Sequence, residues 1–276
     1  MKLMDFDGLF DEKLTQYMEE NKGKYTEKQW ESLIPRLYEK FGNTYVGKIK
    51  CTPKEYYAKM TSEELVDTLS AHLKERVPVP EFLCAEIENR GDGVSLLPLL
   101  ESKDEETVLY AINLLGADNR AFGKYFELLT DGEVSEEVRD AAVDCLKFRA
   151  DDNLETALAY YREGKAQEYV LEIFSRLKTR SEEAYQILLT AFLEGGEKRT
   201  LYTGYLAAYG DDRALPYLYK KIEDRTIGFV EFQELKYAIE ALGGEYNEPR
   251  DFSDDRDFKR IEDASLTEGF GAELKS

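Results

Sequence analysis

Helical segments recur along this chain with a period of about 31 residues, and this period constrains the fold more than any other feature. Five segments share a small or apolar first residue, an apolar second residue and, usually, an apolar fifth residue. A unit of two helices cannot bury its apolar face alone, so the pattern predicts stacked pairs with a continuous core. The segments are residues 111–115, 142–146, 173–177, 204–208 and 238–242, so their last residues are 31, 31, 31 and 34 apart. The shorter helical stretches before them lie around residues 96–100, 125–129, 154–161, 185–192 and 215–219.

Several of these segments resemble a known repeat family. The run Leu96-Leu-Pro-Leu-Leu with Ala111-Ile-Asn-Leu-Leu-Gly116, and Gly210-Asp-Asp-Arg-Ala-Leu-Pro-Tyr-Leu218, are similar to the HEAT-like repeat of the phycobilisome-lyase type. Glu137-Val-Arg-Asp-Ala-Ala142 resembles the second helix of that repeat. The resemblance covers roughly residues 91–245 and implies a right-handed α-solenoid, but it says almost nothing about function. Tetratricopeptide repeats have a similar period, but their Trp–Leu–Gly–Tyr pattern is missing, so they rank second.

The predicted fold is therefore all-α, a right-handed α-solenoid of HEAT-like helix pairs with a helical N-terminal region. Strand signals are nearly absent from the sequence. We expect three segments: residues 1–90 as divergent repeats or a helical cap, residues 91–245 as a solenoid of about five helix pairs, and residues 246–276 as an acidic tail.

Local signals add detail at both ends of the chain. Thr26 is a predicted N-cap, and one apolar stripe follows it. A further helix is predicted to open at Pro53, and another to be capped by Thr61 or Ser62. Residues 250–258 are predicted to form a charged loop. Apolar side chains of the tail are expected to dock it onto the repeats. The stripe is Trp30, Leu33, Leu37 and Phe41, and the docking side chains are Phe252, Phe258, Ile261, Leu266 and Phe270.

Charge narrows the range of partners. The formal net charge is −20, from 37 Lys and Arg against 57 Asp and Glu. Residues 1–50 are neutral (nine against nine), whereas residues 51–150 (11 against 21) and 151–276 (17 against 27) each carry −10. Such surfaces repel phosphate backbones and anionic lipids, so neither nucleic acid nor membrane is an expected partner. The start has acids where a signal peptide needs an apolar run, and no run reaches 18 apolar residues, so a cytoplasmic location is expected.

Residues that carry chemistry are sparse. The three cysteines are far apart and form no CxxC pair, and His72, the only histidine, is expected at the edge of an apolar helix stripe. An EF-hand register ends at Glu262, but its position 6, normally Gly, is Arg256. Gly269-Phe-Gly271 is too short for a nucleotide loop. No metal, cofactor or catalytic residue is therefore expected. The other residues of that register are Asp251, Ser253, Asp255 and Asp257.

Tyrosine is the least ordinary feature of the composition. The chain has 19, and nine of them fall between Tyr160 and Tyr219. Three lie on one predicted helix at spacings of three and four, so they are expected to share a face. In the resembled family the second helix of each pair lines the concave surface, and tyrosine is favoured at interfaces. The alternative is that these rings fill the seams between helices. The predicted partner-binding residues are Tyr160, Tyr161, Arg199, Tyr202, Tyr205, Tyr209 and Arg213.

The favoured function is a non-catalytic scaffold that binds a protein or peptide. Two alternatives stay open at this level. One is an enzyme or small-molecule binder that uses a pocket in the concave groove. The other is an acidic mimic that occupies a basic groove on another protein. Oligomeric state and partner identity are not encoded in any pattern of the sequence that we find.

Overall fold

The fold is helical throughout the part of the chain, residues 3–262, that the computed structural model describes. The sole extended pairing in that part is an isolated bridge between Val46 and Cys51. The all-α prediction is confirmed. The α-helices are α1 Phe6–Glu20, α2 Glu27–Gly42, α3 Pro53–Ala58, α4 Ser62–Lys74, α5 Glu81–Arg90, α6 Glu105–Leu115, α7 Phe122–Thr130, α8 Glu136–Phe148, α9 Ala150–Arg162, α10 Gln167–Phe174, α11 Glu182–Glu194, α12 Arg199–Tyr209, α13 Leu215–Ile222 and α14 Phe229–Ala241. The 3₁₀ helices are Gly93–Glu101, Asn119–Ala121, Gly196–Lys198 and Asp212–Ala214.

Side-chain caps explain where several helices begin. The Thr26 hydroxyl accepts the N–H of Gln29, and the Gln29 side chain accepts the Thr26 N–H, which satisfies two N–H groups reciprocally. Thr52 and Thr61 form the same box at the starts of α3 and α4. Pro53 is the first residue of α3. The predicted caps at Thr26 and Thr61 and the predicted opening at Pro53 are confirmed.

Nine of the ten predicted repeat segments lie in helical structure, with Leu242 one residue beyond the end of α14. In the tenth, residues 173–177, α10 ends at Phe174 and residues 175–177 lie outside the helix. One of the nine differs in type. Residues 96–100 belong to the 3₁₀ helix Gly93–Glu101 and not to an α-helix. Pro98 lies inside this stretch. Its ring removes one N–H donor and would clash with the carbonyl four residues earlier in an α-helix, so the tighter helix is favoured.

The chain divides into two compact units, Met1–Cys145 and Leu146–Ser276. In the first unit α1 packs on α2, and α4 packs on α5 and α6. In the second unit successive helices pair as α9 with α10, α11 with α12 and α13 with α14, and α12 also packs against both α10 and α14. The predicted segment boundaries near residues 90 and 245, like the solenoid itself, stay predictions.

The burial pattern of the repeat segments confirms most of the predicted register. The first residue of the segment is fully buried in four of the five repeats: Ala111, Ala142, Ile173 and Ala238. In the fourth repeat the buried residues between positions 204 and 209 are Leu206 and Tyr209, whereas Ala208, the predicted last residue, is exposed. The register of that unit is therefore 205–209, one residue beyond the predicted 204–208. Tyr205, and not Gly204, takes the first position.

A turn made of Asp, one intervening residue and Arg occurs in both compact units of the chain. Asp118 accepts the backbone N–H and two guanidinium N–H groups of Arg120, and Asp211 does the same with Arg213. Each Asp also caps the short 3₁₀ helix that follows. Both turns fall at the junction between the second helix of one pair and the first helix of the next.

Two large buried tyrosines of the first unit differ in one respect. Tyr57 and Tyr125 are both fully buried. The Tyr125 hydroxyl donates to the Gly116 carbonyl at 3.0 Å. The Tyr57 hydroxyl has no hydrogen-bond partner among residues 3–262.

Part of the C-terminal segment docks as expected. Phe252 and Phe258 pack edge-on against Phe229 of α14, with ring centroids 5.3 and 5.0 Å away. Ile261 is about half exposed. The expected loop at 250–258 gives way to helix from residue 256 onward. Leu266 and Phe270 lie outside the described residues.

Candidate functional site

A groove opens along α12 in the second unit, between α10 and α14. Its volume is about 520 Å³. We call it the α12 groove. Helix α10 contributes Glu172, the turn after it contributes Ser175 and Arg176, and α14 contributes Glu234. The lining residues from α12 are Thr200, Leu201, Gly204, Tyr205 and Ala208.

The groove forms where one unit departs from the repeat pattern. The other four repeats bury a small or medium apolar residue at the first position of the segment, whereas the fourth repeat has Tyr205 there. A tyrosine ring is too large for a seam built around alanine, and Tyr205 is only half-buried. The preceding residue, Gly204, has no side chain to cover the helix surface. A large ring beside a bare backbone therefore leaves an open concavity.

The Tyr205 hydroxyl is a hydrogen-bond donor at neutral pH. Partial burial, followed by the negative charge of Glu172, raises the pKa of Tyr205 to about 12. This hydroxyl makes no hydrogen bond to any protein atom of residues 3–262. The phenol therefore offers a donor and an apolar ring face to a bound molecule.

Two charged side chains of the groove also lack partners among residues 3–262. Arg176 is exposed and has no carboxylate within ion-pair distance there, and Glu234 has no cation. The Glu234 Oε1 atom lies 3.2 Å from where a Cβ on Gly204 would stand. Leu201 completes this surface with 49% of its area exposed. The groove thus combines an apolar surface and the Tyr205 hydroxyl with one cation and one carboxylate that have no ion-pair partner among residues 3–262.

Ion pairs hold the three helices around the groove. Lys198, just before α12, pairs with Glu168 of α10. Arg199 donates to Glu231 of α14 at 3.3 Å and to the Phe192 carbonyl at 3.2 Å. Arg199, predicted as a partner-binding residue, is therefore engaged within the fold.

Tyr209 and Arg213, also predicted to bind a partner, lie away from the groove. The Tyr209 hydroxyl donates to the Ser181 carbonyl and accepts the Ser181 N–H, both at 2.9 Å. Arg213 lies 4.2 Å from the Tyr185 ring centroid and pairs with Glu182 at 2.8 Å. Both side chains hold the start of α11. Tyr209 does not share an exposed face with Tyr202 and Tyr205, because it occupies the buried fifth position of its unit.

The three remaining predicted residues surround α9 and the start of α12. Tyr161 packs against Phe174, with ring centroids 6.3 Å apart. Lys165 covers the Tyr160 ring. Tyr202 lies 6.1 Å from Tyr205 by ring centroid. Of the seven predicted residues, Tyr205 alone is in the groove lining, with Tyr202 beside it.

Eight of the nine lining residues were not predicted from the sequence, and four of them shape the groove most: Arg176, Leu201, Gly204 and Glu234. A correct register for the fourth unit would have pointed to Gly204, because a glycine then precedes an unusually large first residue. No pattern in the sequence distinguishes Arg176 or Glu234 from the many other charged helix residues. Their lack of an ion-pair partner is a property of the folded chain.

His72 is more deeply buried than the sequence predicted. It is fully buried and not at a boundary, because α5 and α6 pack over α4. Its Nδ1 lies 2.8 Å from the Pro78 carbonyl oxygen, so Nδ1 carries the proton and donates. Nε2 has no partner among residues 3–262.

The residues of the EF-hand register have structural roles. The Asp255 carboxylate accepts the backbone N–H groups of Phe229, Asp257 and Phe258, so it caps the last helical turn. Asp251 accepts the Ser253 N–H. Between residues 3 and 262 no group of three or more His, Cys, Asp or Glu side chains is placed to hold a metal ion. Gly269-Phe-Gly271 lies outside the described residues.

No protein-family model, curated protein or solved structure matches this chain. The resemblance to HEAT-like repeats therefore stays a prediction. In the described part of the chain no helix combines the length and the apolar character that crossing a bilayer requires.

Proposed function

We propose that this protein is a non-catalytic scaffold of helical repeats that binds a protein or peptide partner through the α12 groove. The observation that carries the proposal is Tyr205. It presents a half-buried ring, and a hydroxyl without a partner among residues 3–262, at a position where four other repeats bury an apolar residue. Tyrosines of this kind anchor interfaces, because they offer a large apolar area with little loss of rotamer entropy.

Contacts at one repeat spacing support the HEAT-like right-handed α-solenoid as the architecture. Arg120 donates to the Gly91 carbonyl, 29 residues earlier, and Ser135 to Glu105, 30 residues earlier. In the second unit Arg213 donates to Glu182, 31 residues earlier. Hydrogen bonds between residues about 30 positions apart join one helix pair to the next, as nearest-neighbour stacking requires.

The lining of the groove defines the chemistry of the partner. Leu201 and Tyr205 favour an apolar side chain, Glu234 favours a basic group and Arg176 an acidic one. Residues 151–276 carry 17 basic and 27 acidic side chains, so the long-range field also favours a cationic segment. The partner is therefore a peptide segment that places an apolar residue on Tyr205 and a Lys or Arg at Glu234.

Catalysis in the groove has no support from its one lining serine. Ser175 is buried, and its hydroxyl donates to the Glu172 carbonyl at 2.7 Å. That hydroxyl is committed to its own helix and is not presented to a substrate. The proposal is therefore confined to binding.

Selection from a displayed library of random peptides tests the proposal directly. We expect enriched peptides to share an apolar residue next to Lys or Arg. Tyr205→Ala should weaken their binding at least about tenfold, because truncating a central aromatic anchor removes at least 1.4 kcal/mol. Tyr217→Ala is the matched control, since Tyr217 is exposed on α13 and outside the groove lining. Tyr209 is avoided, because its loss would disturb α11.

Charge variants distinguish this proposal from the acidic-mimic alternative. Glu234→Gln should reduce binding of the selected peptides, and raising the salt concentration should reduce it only modestly. Peptides that bind Tyr205→Ala as well as the unchanged protein, with affinity falling steeply with salt, would favour an acidic mimic. A library that yields no enriched peptide would overturn the proposal.

A further inference from the structure

A small apolar pocket lies between α1 and α2 in the first unit. Each helix contributes residues at spacings of three and four, which place them on one face. Its volume is about 180 Å³. We call it the α1–α2 pocket. The lining consists of Phe10, Lys13, Leu14 and Tyr17 from α1, Leu37, Lys40 and Phe41 from α2, and Thr44.

The walls of the pocket are apolar. Phe10 and Phe41 are buried, with ring centroids 5.7 Å apart, and Leu14 and Leu37 are half-buried. Thr44 offers no spare donor, because its hydroxyl donates to the Lys40 carbonyl at 2.8 Å. A ligand in this pocket would therefore bury an apolar body and find its polar contacts elsewhere.

Two lysines supply those contacts. Lys13 and Lys40 are exposed, one on each helix, and neither has a carboxylate partner among residues 3–262. The Lys13 Nζ lies 5.2 Å from the centroid of the Phe41 ring, so it stands over the wall of the pocket. In a chain with net charge −20, two unpaired ammonium groups at one apolar cavity form a local cationic site.

We infer that the α1–α2 pocket binds a small organic anion, a carboxylate in its simplest form, whose apolar body is about the size of one phenyl ring. Charge complementarity supports the anionic head group, and the apolar lining supports the body. The volume sets the size, since an apolar cavity of about 150 Å³ holds one benzene molecule. This site is separate from the α12 groove and does not rest on the proposed function.

Binding of phenylacetate tests the inference. Trp30 is the only tryptophan, and its ring lies 6.1 Å from Tyr17 of the pocket lining, so its fluorescence reports on occupancy. Saturable binding with a Kd of about 1 mM is expected for a ligand of this size. Saturation-transfer NMR on the ligand provides a second measurement. The neutral isostere phenylacetamide should bind at least about tenfold more weakly, because the lysines recognise the charge.

Three variants locate the site. The double variant Lys13→Gln and Lys40→Gln should lose at least about tenfold in phenylacetate affinity. Lys28→Gln with Lys48→Gln makes the same charge change at exposed lysines outside the lining and should bind normally. Leu14→Phe should abolish binding by filling the pocket. Absence of saturable binding, equal affinity for phenylacetamide, or an unchanged Kd in the first double variant would overturn the inference. Thermal melts confirm that each variant is folded.

Discussion

Tyr57 shows how one unpaired hydroxyl affects a packed core. A buried hydroxyl without a partner loses its bonds to water and gains none in return. Burial also raises the pKa of Tyr57, so the side chain stays a neutral phenol. It therefore cannot ionise and offset the lost hydrogen bonds to water by pairing with a cation. The ring itself is well used, because Phe6 packs edge-on against it at 5.7 Å. The apolar part of the side chain therefore carries its contribution to stability.

Tyr57→Phe is expected to leave stability unchanged or to raise it by up to about 1 kcal/mol, because it removes only the unpaired hydroxyl. The matched change Tyr125→Phe should lower the free energy of unfolding by about 1–2 kcal/mol, since it leaves the Gly116 carbonyl unpaired. Urea denaturation of the three proteins measures both effects. A larger loss from Tyr57→Phe than from Tyr125→Phe would show that the Tyr57 hydroxyl has a partner.

Glycines at two positions of the second unit give opposite predictions. Gly204 lies within α12, where the only close atom to a new Cβ is the end of the Glu234 side chain. Gly204→Ala should therefore stabilise the protein by about 0.5–1 kcal/mol through helix propensity, while it fills part of the α12 groove. Gly195→Ala should destabilise by about 1–3 kcal/mol, because its Cβ would stand 2.6 Å from the Tyr202 ring and 2.7 Å from the Ala191 carbonyl oxygen. Thermal melts separate the two outcomes, and peptide binding should fall in Gly204→Ala alone.

At the scale of elements, the Asp–x–Arg turns connect sequence to stability. Hydrogen bonds from Arg213 hold the pKa of the Asp211 carboxyl below its usual value of 3.8, and Arg120 does the same for Asp118. A carboxyl with a lowered pKa in the folded state stabilises the fold above its usual pKa. That contribution is lost as the pH falls through the usual value and below.

Replacing these carboxylates should therefore flatten the acid limb of the stability curve. Asp211→Asn is expected to reduce the free energy of unfolding at pH 7 by about 1–3 kcal/mol, since it weakens charged hydrogen bonds and a cap. Between pH 6 and pH 3 the variant should lose less stability than the unchanged protein. Asp118→Asn should behave in the same way, because the turn is the same. Parallel pH dependences of the variant and the unchanged protein would contradict this account.

Element boundaries were largely predictable, and side-chain neighbours were not. Thr26, Thr61 and Pro53 act through residues three or four positions away, so a local reading finds them. The register of the fourth unit was wrong by one residue, because alanine at 207 and 208 fits a small-residue pattern in either frame. The burial of His72 depends on α5 and α6, which no local pattern reveals. Arg176, in the turn after α10, and Glu234, on α14, meet at the α12 groove only because the helices pack there.

At the scale of the whole molecule, the net charge of −20 is the dominant electrostatic property. Many ion pairs among residues 3–262 have both side chains exposed, and each such pair contributes only about 0–1 kcal/mol. Repulsion among the remaining acids opposes compaction. Screening should therefore relieve more repulsion than it removes attraction.

Raising the salt concentration from about 20 mM to about 200 mM is expected to raise the Tm by a few degrees, because the Debye length falls well below the molecular dimension. A chemically inert salt such as NaCl and calorimetry are sufficient for the measurement. Sucrose at matched osmolality serves as the uncharged control. A fall in Tm with salt would mean that ion-pair attraction outweighs the net repulsion.

Tyr205 also indicates how binding specificity can arise in a chain of this kind. Four of the five repeats bury an apolar residue at one position. The fourth repeat in the chain replaces it with a ring that the seam does not accommodate. The helices on either side, α10 and α14, still pack against α12. A single codon at that position thus separates a closed seam from an open groove. Neighbouring positions such as Ala238 offer the same choice, so evolution or design can relocate or duplicate a binding face in such a chain while the scaffold stays unchanged.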